Sequence, residues 1–119
     1  MRLTTELWVS ALLRRAQSDG SYATVLKKGA AEAGAVFIVI MKDRSTFDLL
    51  SPAPQTVYGA DTEGSGLERD SRQFQVILEN EPLSDIDRAL EKQRSFDPDL
   101  WVIEIEDREG RSFVQLAAE

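Results

Sequence analysis

The side chains of this chain that can do chemistry near neutral pH are carboxylates, hydroxyls, lysines and arginines, because it contains no histidine and no cysteine. That removes the one side chain that titrates near pH 7 unaided and the most readily activated nucleophile, and with them the machinery of most enzymes. The carboxylates gather in two places. Asp97 and Asp99 flank Pro98 and, with Asp85 or Asp87, can offer hard oxygen ligands to Mg²⁺ or Ca²⁺. Their spacing is not that of a calcium loop, and Asx-type turns and helix caps use the same residues. Glu104 and Glu106 stand two apart on one strand face, as an acid/base pair would. A carboxylate-based or metal-assisted hydrolase would draw on Asp97, Asp99 and Glu104. Nothing in the sequence shows the burial that would raise one of these pKa values, so the plainer reading is a solvated face.

The cations form two pairs, Arg14 with Arg15 and Lys27 with Lys28, which meet if the first helix packs beside the first strand. Together they would position a phosphate or a nucleic-acid backbone. No aromatic residues interleave with them and the chain is acidic, which disfavours nucleic acid. The run KGAAEAG, Lys28 to Gly34, has glycines but no Lys-Ser or Lys-Thr after them, so it reads as a turn and not as a phosphate loop. Trp8 and Trp101 occupy matching Leu-Trp-Val triplets; core packing is one role for them and anchoring a protein partner is the other. Tyr58 stands beside a polar stretch, residues 59–71, that has the composition of a segment ordering on contact with a partner.

These groups need a scaffold, and a chain of 119 residues with 42% hydrophobic content suffices for one domain, taken as 1–119. The longest apolar run, Ala35 to Met41, is too short to span a bilayer, and the N-terminus does not read as a signal peptide. With no disulfide possible, the cytoplasm is the expected location. The net charge of −7 is uneven, +2 for residues 1–59 and −9 for 60–119, which favours head-to-tail association or a basic partner.

Thr4 or Thr5 can cap a helix whose apolar positions Val9, Leu12, Leu13 and Ala16 repeat at helical spacing and which stops near Asp19-Gly20. The next segment, residues 21–28, is open between helix and strand, with strand preferred. Val36 to Met41 is apolar on both faces, as a central strand covered on both sides would be. Lys42 to Ser45 turns into a strand in which Phe47 and Leu49 share a face. Prolines and glycines from Pro52 to Ser71 indicate a long loop. Phe74, Val76 and Leu78 alternate as on one face of a further strand. Ser84, with Asp87 three residues on, predicts the cap of a helix of about three turns carrying Ile86, Ala89 and Leu90, ended by Phe96 to Asp99. Trp101, Ile103 and Ile105 form the apolar face of a last strand that turns at Glu109-Gly110 into FVQLA. The sum is an α+β fold, a mixed, mostly antiparallel sheet with two main helices.

Several runs carry a resemblance: WVSALLRR at Trp8, AGAVFI at Ala33 with KKG before it, SPAPQ at Ser51 and above all FDPDLWVIEIEDREGR from Phe96 to Arg111. They resemble a small alphaproteobacterial family of unknown function, numbered fourteen-ninety-one, across the chain except residues 59–71. The resemblance implies a single bacterial cytoplasmic domain and supplies no catalytic residues. The expectation is a noncatalytic protein-interaction module, leaning away from an enzyme, with no cofactor, an unidentified protein partner and a homodimer as one form.

Overall fold

The computed structural model describes residues 3–54 and 72–117. Its backbone is an α/β/α sandwich: a six-stranded mixed sheet with one helix on each face. Helix α1 (Thr5–Ser18) is followed by β1 (Tyr22–Lys27), β2 (Val36–Asp43), β3 (Thr46–Pro52), β4 (Gln73–Glu81), helix α2 (Leu83–Phe96), β5 (Trp101–Glu106) and β6 (Gln115–Leu116). In space the strands run β1-β5-β2-β3-β4-β6. The β1/β5, β2/β3 and β3/β4 pairs are antiparallel, and β2/β5 and β4/β6 are parallel. The strand preferred for residues 21–28 and the two-sided burial of β2 are both present.

Alternation along β2 and β5 divides the core in two. Val36, Ile38, Ile40, Trp101, Ile103 and Ile105 face α1, where Val9, Leu12 and Ala16 cover them. Phe37, Val39, Leu100 and Val102 face the other way and meet Ile86 of α2, with Phe47 and Leu49 of β3 beside them. Side chains completely removed from water contribute about 1.5–3 kcal/mol each, so the two layers hold the sheet from both sides.

The first helix begins at Thr4, whose hydroxyl accepts the Leu7 N–H at 3.2 Å. Thr5 lies one residue inside, fully buried, with its hydroxyl donating to the Gly34 carbonyl at 3.0 Å. The otherwise unpaired Thr5 and Glu6 amides donate to the Glu32 and Ala31 carbonyls, so the Gly29–Gly34 segment closes the start of α1.

Three local expectations are corrected. Ser84 does not cap α2: the helix starts at Leu83 with Pro82 at the cap, the Pro82 carbonyl receiving the Asp85 and Ile86 amides, and with 14 residues it makes about four turns, not three. Phe74, Val76 and Leu78 do not share a face. The β3/β4 register slips by one between Leu49/Leu78 and Leu50/Val76, a bulge that sends Phe74 to the α1 layer and Leu78 to the α2 layer while Val76 is exposed. Finally, the chain after the Gly110 turn does not pair with β5, because β1 and β2 already occupy both edges of that strand. It crosses the α1 side, where Phe113 and Val114 pack on the core, and lies parallel to β4 as β6.

Candidate interaction surface

The sheet has two ends, and they are finished differently. At one end β6 is two residues long and pairs with Gln73 and Phe74 of β4, so that beyond them β4 itself is the edge among the described residues. At the other, β1 presents six residues without proline, and among the described residues it pairs with β5 alone and has no element covering its outer edge. Open edges are commonly guarded by a lysine pointing into solvent. Here Lys27 is turned back into its own fold, its ammonium donating to the Pro98 and Leu100 carbonyls at 2.8 and 2.9 Å. Gln17 reaches over from α1 and donates to the Ala23 carbonyl at 3.3 Å.

Ala23 and Val25 of β1 pack toward α1, while Tyr22 and Thr24 sit opposite Glu106 and Glu104 on the α2 side. Leu26 is the extra residue of a bulge between Val25 and Lys27 and also looks to the α2 side. Tyr22 is 60% and Leu26 54% exposed, which places an aromatic and an aliphatic side chain in water four residues apart on an open edge. Beside Leu26 a groove of about 360 Å³ separates the edge from α2. Leu26, Leu90, Leu100 and Val102 line it, and Asp87, Glu91 and Arg94 provide polar groups on the helix side.

A larger open cleft, about 850 Å³, lies at the carboxyl ends of β2 and β5. Its best-placed charges are committed to one another. Asp107 accepts from Ser21 Oγ at 2.7 Å, from the Arg111 guanidinium at 2.8 Å and from the Arg111 amide at 2.7 Å, and these bonds with Arg111 hold its carboxyl well below the usual carboxylate range. Lys42 pairs with Asp48 at 3.0 Å and donates to Asn80 at 2.8 Å. These bonds fix the turns after β2 and β5 and hold Asp107 and Lys42 in structural pairs.

The residues singled out from the sequence are distributed as follows. Asp97 accepts the Asp99 amide at 3.1 Å in an Asx turn, and Asp85 pairs with Arg88 at the opposite end of α2, about 18 Å away by helical rise. Glu104 is about 16 Å of extended chain beyond Asp99. Among the described residues no three acidic side chains gather as a metal would require. Glu104 stands beside Glu106, and desolvation first and the Glu106 charge second push its carboxyl above the ordinary value.

The basic pairs do not converge. Lys28 pairs with Glu6 at 3.4 Å in the first turn of α1, whereas Arg14 and Arg15 lie about 12 Å further along, Arg15 donating to the Phe113 carbonyl at 2.6 Å. Gly29 and Gly34 are packing residues: a β-carbon at Gly29 would run into the Asp99 carbonyl oxygen, and one at Gly34 would stand 2.6 Å from that same atom. Trp101 is 3% exposed, with its indole N–H donated to the Ala30 carbonyl at 2.8 Å, and so presents almost no surface to a partner. Trp8 is half-buried, stacked on Phe74 with ring centroids 5.5 Å apart and with the Arg72 guanidinium 5.6 Å over its ring. Tyr58 and the 59–71 stretch lie outside the described residues. Tyr22 and Leu26 are surface residues that reading the sequence did not single out; the visible signal was their spacing in a segment bounded by Gly20 and Gly29, obscured by the choice between helix and strand.

The family model described as protein of unknown function (DUF1491) matches residues 3–115. A crystal structure of a DUF1491 family protein from Caulobacter crescentus is similar at 36% identity and a TM-score of 0.76, covering 99% of this chain and 100% of that one. A solution structure of an A. tumefaciens protein is 38% identical with a TM-score of 0.81, covering 100% and 98% of the two chains. An NMR structure of a Caulobacter crescentus DUF1491 family protein is 38% identical with a TM-score of 0.75, covering 99% of each. No curated protein matches. No helix among the described residues is long and apolar enough to cross a membrane.

Proposed function

Since this chain belongs to the DUF1491 family of proteins of unknown function, its role has to be argued from its own surface, and we propose that it is a noncatalytic protein-interaction module that self-associates. The observation that carries this reading is the open β1 edge, six residues long, with Tyr22 and Leu26 held in water beside a groove. A long exposed edge bearing large apolar side chains templates the pairing of another chain, and soluble proteins normally blunt such edges. The candidates for catalysis give less support. Asp97 is engaged in a turn, Asp107 is saturated by Arg111 and Ser21, and Glu104 has Glu106 as its acidic neighbour and Thr24 of β1 opposite it.

Sedimentation equilibrium of the full chain from micromolar to millimolar concentration tests the reading. A reversible shift to a multiple of the monomer mass is the expected result. A single monomeric mass across the range would reject self-association.

A further inference from the structure

Resting on that reading, we propose that the partner at the β1 edge is a second copy of the same chain, joined antiparallel about Thr24, with Tyr22 of each copy seated in the groove between Leu26 and α2 of the other. Antiparallel pairing of a strand with itself is isologous, so every contact occurs twice. Centring it on Thr24 sets Tyr22 opposite the partner's Leu26 and Thr24 opposite the partner's Thr24. Tyr22 to Val25 are in regular register with β5, so this pairing rests on the Ala23 and Val25 backbone either side of Thr24, with the bulged Leu26 at its end.

Three features of the edge fit this occupant. First, Tyr22, Thr24 and Leu26 all look to the α2 side, so the pairing places each Tyr22 beside the opposite groove, whose volume of about 360 Å³ is ample for a phenol ring. Leu26, Leu90 and Val102 would cover the ring, and Asp87 or Glu91 would accept its hydroxyl proton, as a buried tyrosine hydroxyl requires. Second, the same register sets Lys28 of one copy, which pairs with Glu6 within its own chain, opposite Gly20 of the other and one residue from the exposed Asp19, so that an acidic group of each copy adjoins a cation of its partner. Third, Lys27, the cation placed to repel an incoming strand, is withdrawn onto the Pro98 and Leu100 carbonyls.

The chain has no cysteine, so a single introduced thiol reports only on its own position. In antiparallel pairing, facing residues have their α-carbons about 4.5–5.5 Å apart, within the reach of a disulfide. The experiment compares Thr24→Cys with Gln115→Cys on the β6 edge under mild oxidation, alongside sedimentation of wild type and Tyr22→Ala. Rapid covalent dimer from Thr24→Cys, little from Gln115→Cys, and a dissociation constant raised at least about thirtyfold in Tyr22→Ala would bear the proposal out. Tyr22 is largely exposed, so its truncation leaves the monomer folded. A wild-type oligomer in which Thr24→Cys crosslinks no faster than Gln115→Cys would overturn the edge pairing while self-association stands. A wild-type monomer at all concentrations would overturn both.

Discussion

Asp107 is the residue on which most bonds converge. Its carboxylate takes the Ser21 hydroxyl, the Arg111 amide and the Arg111 guanidinium, and Arg111 in turn lies 5.0 Å over the Phe113 ring. Because the folded carboxyl titrates far below the unfolded one, the unfolded chain binds the proton first as pH falls. The stability Asp107 contributes is whole above about pH 4 and drains away below it. Asp107→Asn is expected to lower unfolding stability by about 2 kcal/mol at neutral pH and to flatten the loss below about pH 4, read from urea titrations. Glu104 has the opposite sign: its folded carboxyl holds a proton longer than the unfolded one, so it costs stability as pH rises past the ordinary carboxyl value. Glu104→Gln is expected to raise the melting temperature at pH 7, by an amount worth under about 1 kcal/mol because the group is partly solvated. Roles at this scale were legible when they were local. Thr4 as a cap and Asp97 as a turn residue follow from their neighbours in the chain, whereas the Ser21–Asp107 bond joins residues that only the β1/β5 pairing brings together.

The helices and loops hold on by few residues. On α2 the one fully buried side chain among the described residues is Ile86, set between Phe47, Leu49 and the β5 side chains. Ile86→Ala is expected to cost about 3 kcal/mol, measured by denaturant unfolding, because nothing nearby can refill its site. In the loop before β2, Gly29→Ala forces a methyl group into the backbone at Asp99 and Leu100, which cannot yield as a side-chain end would. A loss of at least about 3 kcal/mol is expected, while Ala33→Gly in the same loop tests backbone freedom alone and is expected to cost under about 1 kcal/mol. Periodicity identified both helices, β2 and β5 because each element has a face or faces buried along its length. It failed at β4, where a bulge exchanges the faces between Phe74 and Leu78, and at β6, which has no burial pattern of its own and is placed by the vacancy beside β4. The start of α2 was misread because Ser84 and Asp87 satisfy the capping spacing while the Pro82 carbonyl already takes the first amides.

At the scale of the molecule, a chain with a net charge of −7 resists meeting its own kind, and apolar contact has to outweigh that repulsion. If the β1 edges pair, the melting temperature is expected to rise with protein concentration and to lose that dependence in Tyr22→Ala, a comparison that thermal unfolding at several concentrations settles. The fold class could be read from the order of elements, but the position of β5 could not, since strand order is decided by packing at long range. That position has a consequence in time. β1 and β2 are neighbours in sequence yet not in space, because β5 lies between them, bonded to β1 on one side and to β2 on the other. During synthesis both strands leave the ribosome long before the residues that join them, and each waits with an unmatched inner edge. The β2–β3–β4 meander pairs between neighbours in sequence, whereas β1 has no place in the sheet until residues 101–106 arrive to fill the gap beside it.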